Sequence, residues 1–360
     1  MFLFSQDHPD WKGADILLIG CPDQPEGNPK GSSFKGVDKI RDQLYQLSIP
    51  GKSSRVMDMG NLKPKTSSEA FYEMMAYVLG VIFEEGKTVI LLGGSQDMVY
   101  GQYMAYENLE KSIEYVHIDS RFDAADSDIT LDRYSFNHKI FVHQPNYLFN
   151  YTNLGYQSYF VSDGQRKTLK DLDFLVIRYG ELHQRIEEAE PALRTADMVS
   201  FDLSAIRSSE CTGVVTPSPG GFSAIEACRL ARYAGLGYGI SSFSISEFLW
   251  QKDVRDQSAL LASMLVWYFV DGFYSKREDY PAQDRSNLRK YAVRLHASIE
   301  AINFFEHPTT GRWWMEVPFQ KEIGKKKPKT VLVPCSKKDY EFAKTDDIPE
   351  RWWMVYNKLK

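Results

Sequence analysis

The chain has 360 residues, with 43 Lys and Arg against 48 Asp and Glu, for a net charge of −5. That balance leaves no basic footprint for nucleic acid or an anionic membrane. Apolar residues at 43% and charged residues at 25% exclude global disorder and fit one large globular domain or two small ones. Met1-Phe2-Leu3-Phe4 is too short for a secretory core and has no basic flank. The longest apolar stretch, Ala259 to Val270, falls short of the roughly 20 residues a bilayer requires. It reads as a buried helix. Cys21, Cys211, Cys228 and Cys335 show no metal-ligand spacing and read as reduced thiols, so a cytoplasmic protein without membrane insertion is expected.

In chain order, an apolar run at Ala14–Gly20 leads into a Pro- and Gly-rich stretch over Cys21–Gly36 and a helical pattern at Val37–Leu47. Thr66–Glu84 carries Phe71, Met74, Met75, Val78, Leu79 and Ile82 at helical spacing. Thr88–Leu92 is a short β-branched run closed by Gly93-Gly94, and Ile113–Ile118 is another strand after a helical stretch from Met98. Strand-like runs recur at Phe174–Arg178, Met198–Leu203 and Ile240–Ile245. Helical patterns lie near Glu181–Glu190, Ser223–Tyr233 and Gln257–Phe273. Strands alternating with helices predict a three-layer α/β/α fold around a mainly parallel sheet. From about Ser275 the composition changes, with prolines, paired tryptophans and the basic run Lys321–Lys329. The expected division is an α/β domain over 1–275 and a C-terminal extension over 276–360 that packs on it.

Ligands of an open parallel sheet gather at the carboxyl ends of its strands. Three of these ends carry unusual polar sequence: Gly93-Gly94-Ser95-Gln96-Asp97, Asp119-Ser120-Arg121-Phe122-Asp123 and Ser200-Phe201-Asp202-Leu203-Ser204. Any one of them alone reads as a helix cap or turn, since Asp and Ser favour both. Three at one edge of one sheet make a site.

As a set these sequences resemble the ureohydrolases: arginases, agmatinases and formimidoylglutamases. That family places GGDHS, DAHxD and SxDxDxxDP at three strand ends, where they ligate two manganese ions. Gly31 to Leu44, with Ile40-Arg41, is similar to the family's N-terminal segment. Gly220-Gly221-Phe222-Ser223-Ala224-Ile225-Glu226 resembles GGLTYRE, which puts Glu226 on a substrate-binding position. The likeness spans about residues 14–275 and implies an arginase-like fold and a homo-oligomer.

The departures from that pattern bear on function. Gln96 stands where the family has a histidine ligand, Arg121 replaces the histidine between Asp119 and Asp123, and Ser204 replaces the second aspartate after Asp202. Hydroxide formation at neutral pH by two bridging metals requires the full ligand set. Three aspartates with one arginine leave a charge of −2, which suits one dication or none. Gln96, Asp119, Asp123 and Asp202 form an all-oxygen set for a single Mn²⁺, Mg²⁺ or Ca²⁺, provided that Gln96 turns its carbonyl inward. Arg121 and Ser204 are expected to fill the second position, with Arg121 paired to the carboxylates. The leading expectation is an inactive ureohydrolase-like protein acting in binding or structure. The alternative is an active hydrolase of amidine or guanidino C–N bonds.

Other features read more plainly. His138 reads as a surface-loop residue rather than a proton shuttle, His117 as a packed strand residue, and Cys21 as an inert thiol. Gly93-Gly94 lacks the rest of a dinucleotide fingerprint. The run Lys325-Lys326-Lys327-Pro328-Lys329 reads as a solvated loop. Arg312-Trp313-Trp314-Met315 and Arg351-Trp352-Trp353-Met354 offer residue types typical of protein-partner contacts, though the plainer expectation is that both pairs pack onto the α/β domain.

Overall fold

A computed structural model describes residues 10–23, 33–48, 50–51, 54–125, 131–277, 279, 281, 285–295, 301–319 and 329–360. The opening Met1–Phe4, most of the Pro- and Gly-rich stretch and nearly all of the basic run lie outside these residues. The chain forms two compact units. One runs through Arg166 and resumes at Val176–Lys276, and the other joins Lys167–Leu175 to Arg277–Lys360.

The larger unit is built from β1 (Ile16–Gly20), α1 (Lys35–Leu44), β2 (Val56–Asn61), α2 (Ser68–Glu84), β3 (Thr88–Leu92), α3 (Met98–Met104), β4 (Ile113–Ile118), α4 (Phe136–Val142) and β5 (Leu148–Tyr156). After α5 (Asp163–Asp171), most of which belongs to the second unit, and β6 (Leu175–Arg178) come α6 (Tyr179–Gln184), α7 (Glu190–Thr195), β7 (Met198–Asp202), α8 (Ala224–Gly235), β8 (Ser242–Ser246) and α9 (Gln257–Tyr274). Eight strands form one sheet in the order β2-β1-β3-β8-β7-β4-β5-β6, and the pairings from β2 to β5 are parallel. β1, β3, β7 and β8 are buried at every position, as strands covered by helices on both faces must be. This is the three-layer arrangement that the alternating pattern predicts.

Local chemistry sets the helix starts. Ser67 caps α2 by accepting from the Ala70 N–H at 3.2 Å, and Phe71, Met75, Leu79 and Ile82 turn inward. The apolar helix α9 buries Ala262, Leu265, Val266 and Phe269, and Phe269 stacks on Phe243 of β8 at 4.7 Å. The apolarity of this helix is therefore met inside the unit and gives no reason for a partner chain.

The second unit has its own four-stranded antiparallel sheet, β12-β11-β10-β9, made of β9 (Arg289–Val293), β10 (Ile302–Glu306), β11 (Trp313–Phe319) and β12 (Lys329–Cys335). Helices α10 (Lys337–Ala343) and α11 (Glu350–Leu359) follow. Consecutive strand residues face opposite ways, so Trp313 and Trp314 enter different clusters. Trp313 lies between Tyr291 and Tyr340, each with its ring centroid at 5.2 Å, and Trp352 of α11 packs into the same cluster. Trp353 is 43% exposed, and Trp313, Trp314 and Trp352 pack in the second unit's own clusters. The reason is that a four-stranded sheet with two helices supplies a face of its own on which to bury them.

Arg41, the motif residue of α1, is buried. It holds Asp58 with two hydrogen bonds of 2.8 and 3.0 Å, Asn61 Oδ1 at 2.6 Å and the Gly60 carbonyl at 2.7 Å. Its role is to tie α1 to the end of β2. Substituting Arg41→Met leaves the Asp58 carboxylate buried without its cation and should cost about 3–5 kcal/mol. Urea denaturation of the variant tests this, and a loss under about 1 kcal/mol would show that the pair is not structural.

Candidate metal centre

Four neighbouring strands, β3, β8, β7 and β4, end side by side and bring the site together. After β3 the chain turns back through Gly93 and Gly94, at φ 76° and 85°. A Cβ on Gly94 would lie 2.5 Å from Met98 Sδ, and the left-handed backbone at both positions favours glycine. The turn delivers Gln96, 2% exposed, to the edge of the cluster. Side chains two apart in a strand leave on the same face, so His117 near the end of β4 accompanies Asp119. Asp123 follows at φ 46°, its carbonyl accepting from the Asn137 N–H at 3.1 Å. Asp202 closes β7, and Glu247 stands immediately after β8.

His117 is the hub. Its Nε2 lies 3.4 Å from Asp119 Oδ2, 3.8 Å from Asp123 Oδ2 and 2.6 Å from the Gln96 amide nitrogen. Its Nδ1 lies 3.0 Å from both the Tyr151 hydroxyl and Asn137 Nδ2. Gln96 Nε2 also donates to Asp119 Oδ2 at 3.2 Å, while its backbone N–H donates to Glu247 Oε1 at 2.8 Å. Asp119 Oδ1 accepts from Ser120 Oγ and the Arg121 N–H, and Asp202 Oδ1 accepts from the Ser204 N–H at 2.6 Å. Glu247 Oε2 accepts from Arg133 Nη1 at 2.6 Å.

The electrostatics follow from burial. Burial pushes Asp123 and Asp202 well above the ordinary carboxylate range, and the charge of Asp119 adds to the push on both. Glu247 is raised to about 7, again by burial, against the pull of Arg133. Burial would raise Asp119 too, but the hydrogen bond and charge of His117 overcome it and hold that carboxyl down at about 2. His117, Asp119 and Asp123 each present a ligand atom within 4.8 Å of one another, and Asp123 Oδ2 is buried with no hydrogen-bond partner. One nitrogen and two carboxylate oxygens with an orphaned buried lone pair suit one divalent cation such as Mn²⁺.

The expected residues fare unequally. Gln96, Asp119 and Asp123 come together, with Asp202 close enough for its charge to be felt. Gln96 presents its amide nitrogen rather than its carbonyl, because donation to the Asp119 carboxylate is the bond on offer there. Arg121 does not bridge the aspartates. Its guanidinium lies 4.1 Å over the Phe160 ring and is joined to no carboxylate by an ion pair among the described residues. The chain turns away after Asp119, and the aromatic face satisfies the cation. Asp202 caps the short turn at Leu203–Ala205, its Oδ1 accepting from the Ser204 N–H. Glu226 is engaged elsewhere, in the capping box of α8 with Ser223 and with His183 Nδ1 at 2.9 Å.

His138 lies half-buried on α4 rather than in a loop, while its neighbour Asn137 reaches His117. Cys21 is buried, its thiol pushed up to about 12 by that burial. His117 and Glu247 were missed. His117 was legible as the residue two before Asp119, and Glu247 as the polar residue closing a fourth strand.

An open parallel sheet gathers an imidazole and several carboxylates at adjacent strand ends, an α/β arrangement with a candidate metal centre. A family model described as the arginase family matches residues 14–271, and the chain belongs to that family. Formimidoylglutamase of Staphylococcus haemolyticus is 24% identical over 270 residues, covering 71% of this chain and 85% of that protein. The formimidoylglutamase of Streptococcus gordonii is 23% identical over 282 residues, 72% and 84% of the two chains. In fold, the chain is similar to Trypanosoma cruzi formiminoglutamase with Mn²⁺ (TM-score 0.68, 18% identity, 75% of this chain and 97% of that one). It is also similar to a hypothetical agmatinase of Burkholderia thailandensis (TM-score 0.62, 17% identity, 73% and 87%). No helix among the described residues is long and apolar enough to cross a membrane.

The raised carboxyls give a pH dependence. With its value at about 7 against an ordinary 4.5, Glu247 binds its proton more tightly in the folded state. Its contribution to stability is therefore full below 4.5 and lost as pH rises through about 7. Asp123 and Asp202 act in the same sense, whereas the contribution of Asp119 is lost only as pH falls through about 2. In chelator, the wild type's melting temperature should fall relative to that of Glu247→Gln across this window. Parallel curves for the two proteins would contradict the assignment.

Proposed function

We propose that this chain is an arginase-family protein with an altered centre that takes one divalent cation at most. In this reading it does not perform two-metal hydrolysis and acts as a binding or structural component in the cytoplasm. The observation that carries the reading is the state of the second position. Asp202 accepts the Ser204 backbone N–H where the family pattern offers a further aspartate, and the Arg121 guanidinium lies on Phe160 where the pattern offers a histidine. His117, Asp119 and Asp123 would hold the cation, with Asp202 and Gln96 at its edge. When bound, a divalent cation there supplies charge that polarises an oxygen or nitrogen donor. The chain's own residues do the rest: Tyr151 and Asn137 orient His117, and Gln96 fixes the Asp119 carboxylate.

One observation favours a second reading, hydrolysis of amidine or guanidino C–N bonds at a single cation, the reaction class suggested by the relatives named formimidoylglutamase. His117 brings to Asp119 and Asp123 an imidazole from outside the two motif positions, Gln96 and Arg121, where the family has histidines. Turnover of formimidoylglutamate, agmatine or arginine in Mn²⁺ above the uncatalysed rate would establish it.

Manganese titration by calorimetry tests the leading reading. The wild type should bind no more than about one ion per chain, and Gln96→His with Arg121→His and Ser204→Asp should bind a second, because two imidazoles and a carboxylate return to the strand ends. Arg121→His alone should add no ion and cost only about 0.5–1 kcal/mol, the loss of its contact with Phe160. Two tightly bound ions in the wild type, with no gain in the triple variant, would refute the reading.

A further inference from the structure

The sheet of the second unit lies beyond the residues that the family model matches, and it ends in an open edge. β9 is the last strand in the order β12-β11-β10-β9. It pairs antiparallel with β10 alone, with Arg289 opposite Glu306 and Val293 opposite Ile302. Among the described residues, no other segment hydrogen-bonds to the backbone of 289–294. Alternate residues of β9 therefore point their N–H and C=O groups away from the sheet, the arrangement that pairs with an added strand.

The core fixes the register of this edge. Tyr291, Val293 and Leu295 share one face and pack into the cluster around Phe304 and Trp313. A slip of one residue would turn all three out of that cluster. The opposite face carries Lys290, Ala292 and Arg294, all exposed.

The charge of the edge has one sign. Residues 285–295 contain Arg285, Arg289, Lys290 and Arg294 and no Asp or Glu. Arg285 is paired with Glu316, and Arg289, 63% exposed, lies 3.7 Å from Glu306, its cross-strand neighbour. Lys290 and Arg294 are joined to no carboxylate among the described residues, and the Lys290 ammonium stands 5.8 Å over the Phe305 ring. Along a strand, two residues four positions apart on one face are separated by about 13 Å. The small Ala292 leaves the space between these two cations open. A second copy of this edge would set like charges against each other across the ladder, which is destabilising. An extended segment with a carboxylate at every second position meets both cations and lays its other side chains beside Tyr291 and Val293.

We propose that the outer edge of β9 is a docking site for an acidic, extended segment of a partner protein, added to this sheet as a further strand. The proposal concerns the second unit only and stands whatever the metal centre binds.

The test follows the fluorescence anisotropy of a labelled, end-capped peptide of alternating Glu and Val titrated with the full chain. Saturable binding is expected, weakening as salt rises. Two further versions, N-methylated on the Glu amides or on the Val amides, keep the charge and each block one edge of the peptide. One of the two should bind and the other should not. Lys290→Ala with Arg294→Ala removes only exposed side chains and should weaken the parent peptide roughly two- to thirtyfold, the sum for two exposed ion pairs. No saturation below about 1 mM, equal binding of the two methylated peptides, or unchanged affinity in the double variant would overturn the proposal. So would tighter binding of a short oligouridylate than of the peptide, which would make the basic edge a nucleic-acid surface.

Discussion

Asp119, Asp123, Asp202 and Glu247 meet, almost fully buried, beyond the ends of three adjacent parallel strands, and much of the larger unit is arranged around their charge. Four carboxylates at that depth cannot all remain ionised without cations close by. The chain answers at two of them. His117 holds Asp119 ionised, and Arg133 pairs with Glu247. Asp123 and Asp202 are left well above the ordinary range. Those two are where an added dication would gain most, since it would take the place of the protons that burial favours on them.

The surrounding fold can be read as the support of that pocket. Gly93 and Gly94 turn the chain tightly enough to put the backbone of Gln96 on Glu247 and its side chain on Asp119. Tyr151 on β5 and Asn137 on α4 fix the far side of the His117 ring. Arg41 secures the opposite flank of the sheet through Asp58. Each contact joins elements far apart in sequence. The site is therefore a property of the folded sheet rather than of any one motif.

The parts legible in the sequence were those carried by local pattern. Alternating apolar runs disclosed the parallel sheet, and polar residues at strand ends disclosed Gln96, Asp119, Asp123 and Asp202. β2 and β5 escaped because Val56–Asn61 ends in Gly and Asn and Leu148–Tyr156 mixes Asn and Thr into its run. The second sheet escaped because its strands lie among prolines and charges that read as irregular chain. Arg121 was misjudged from proximity: two residues from Asp119 along the chain, it points to Phe160 once the strand has ended. Arg133 and Glu247 are 114 residues apart, and no spacing rule pairs them.

Membership of the arginase family fixes the scaffold, while the residues at the strand ends decide what the scaffold can hold. In the reading proposed above, a cation on His117, Asp119 and Asp123 would satisfy the orphaned Asp123 oxygen, and a second one toward Asp202 would meet Ser204 and the Phe160-bound Arg121 where the family pattern offers ligands. Anomalous diffraction at the manganese edge from crystals grown in excess Mn²⁺ addresses this directly. One peak at most is expected, lying against His117, Asp119 and Asp123. A pair of peaks bridged by Asp119 and Asp202 would contradict it.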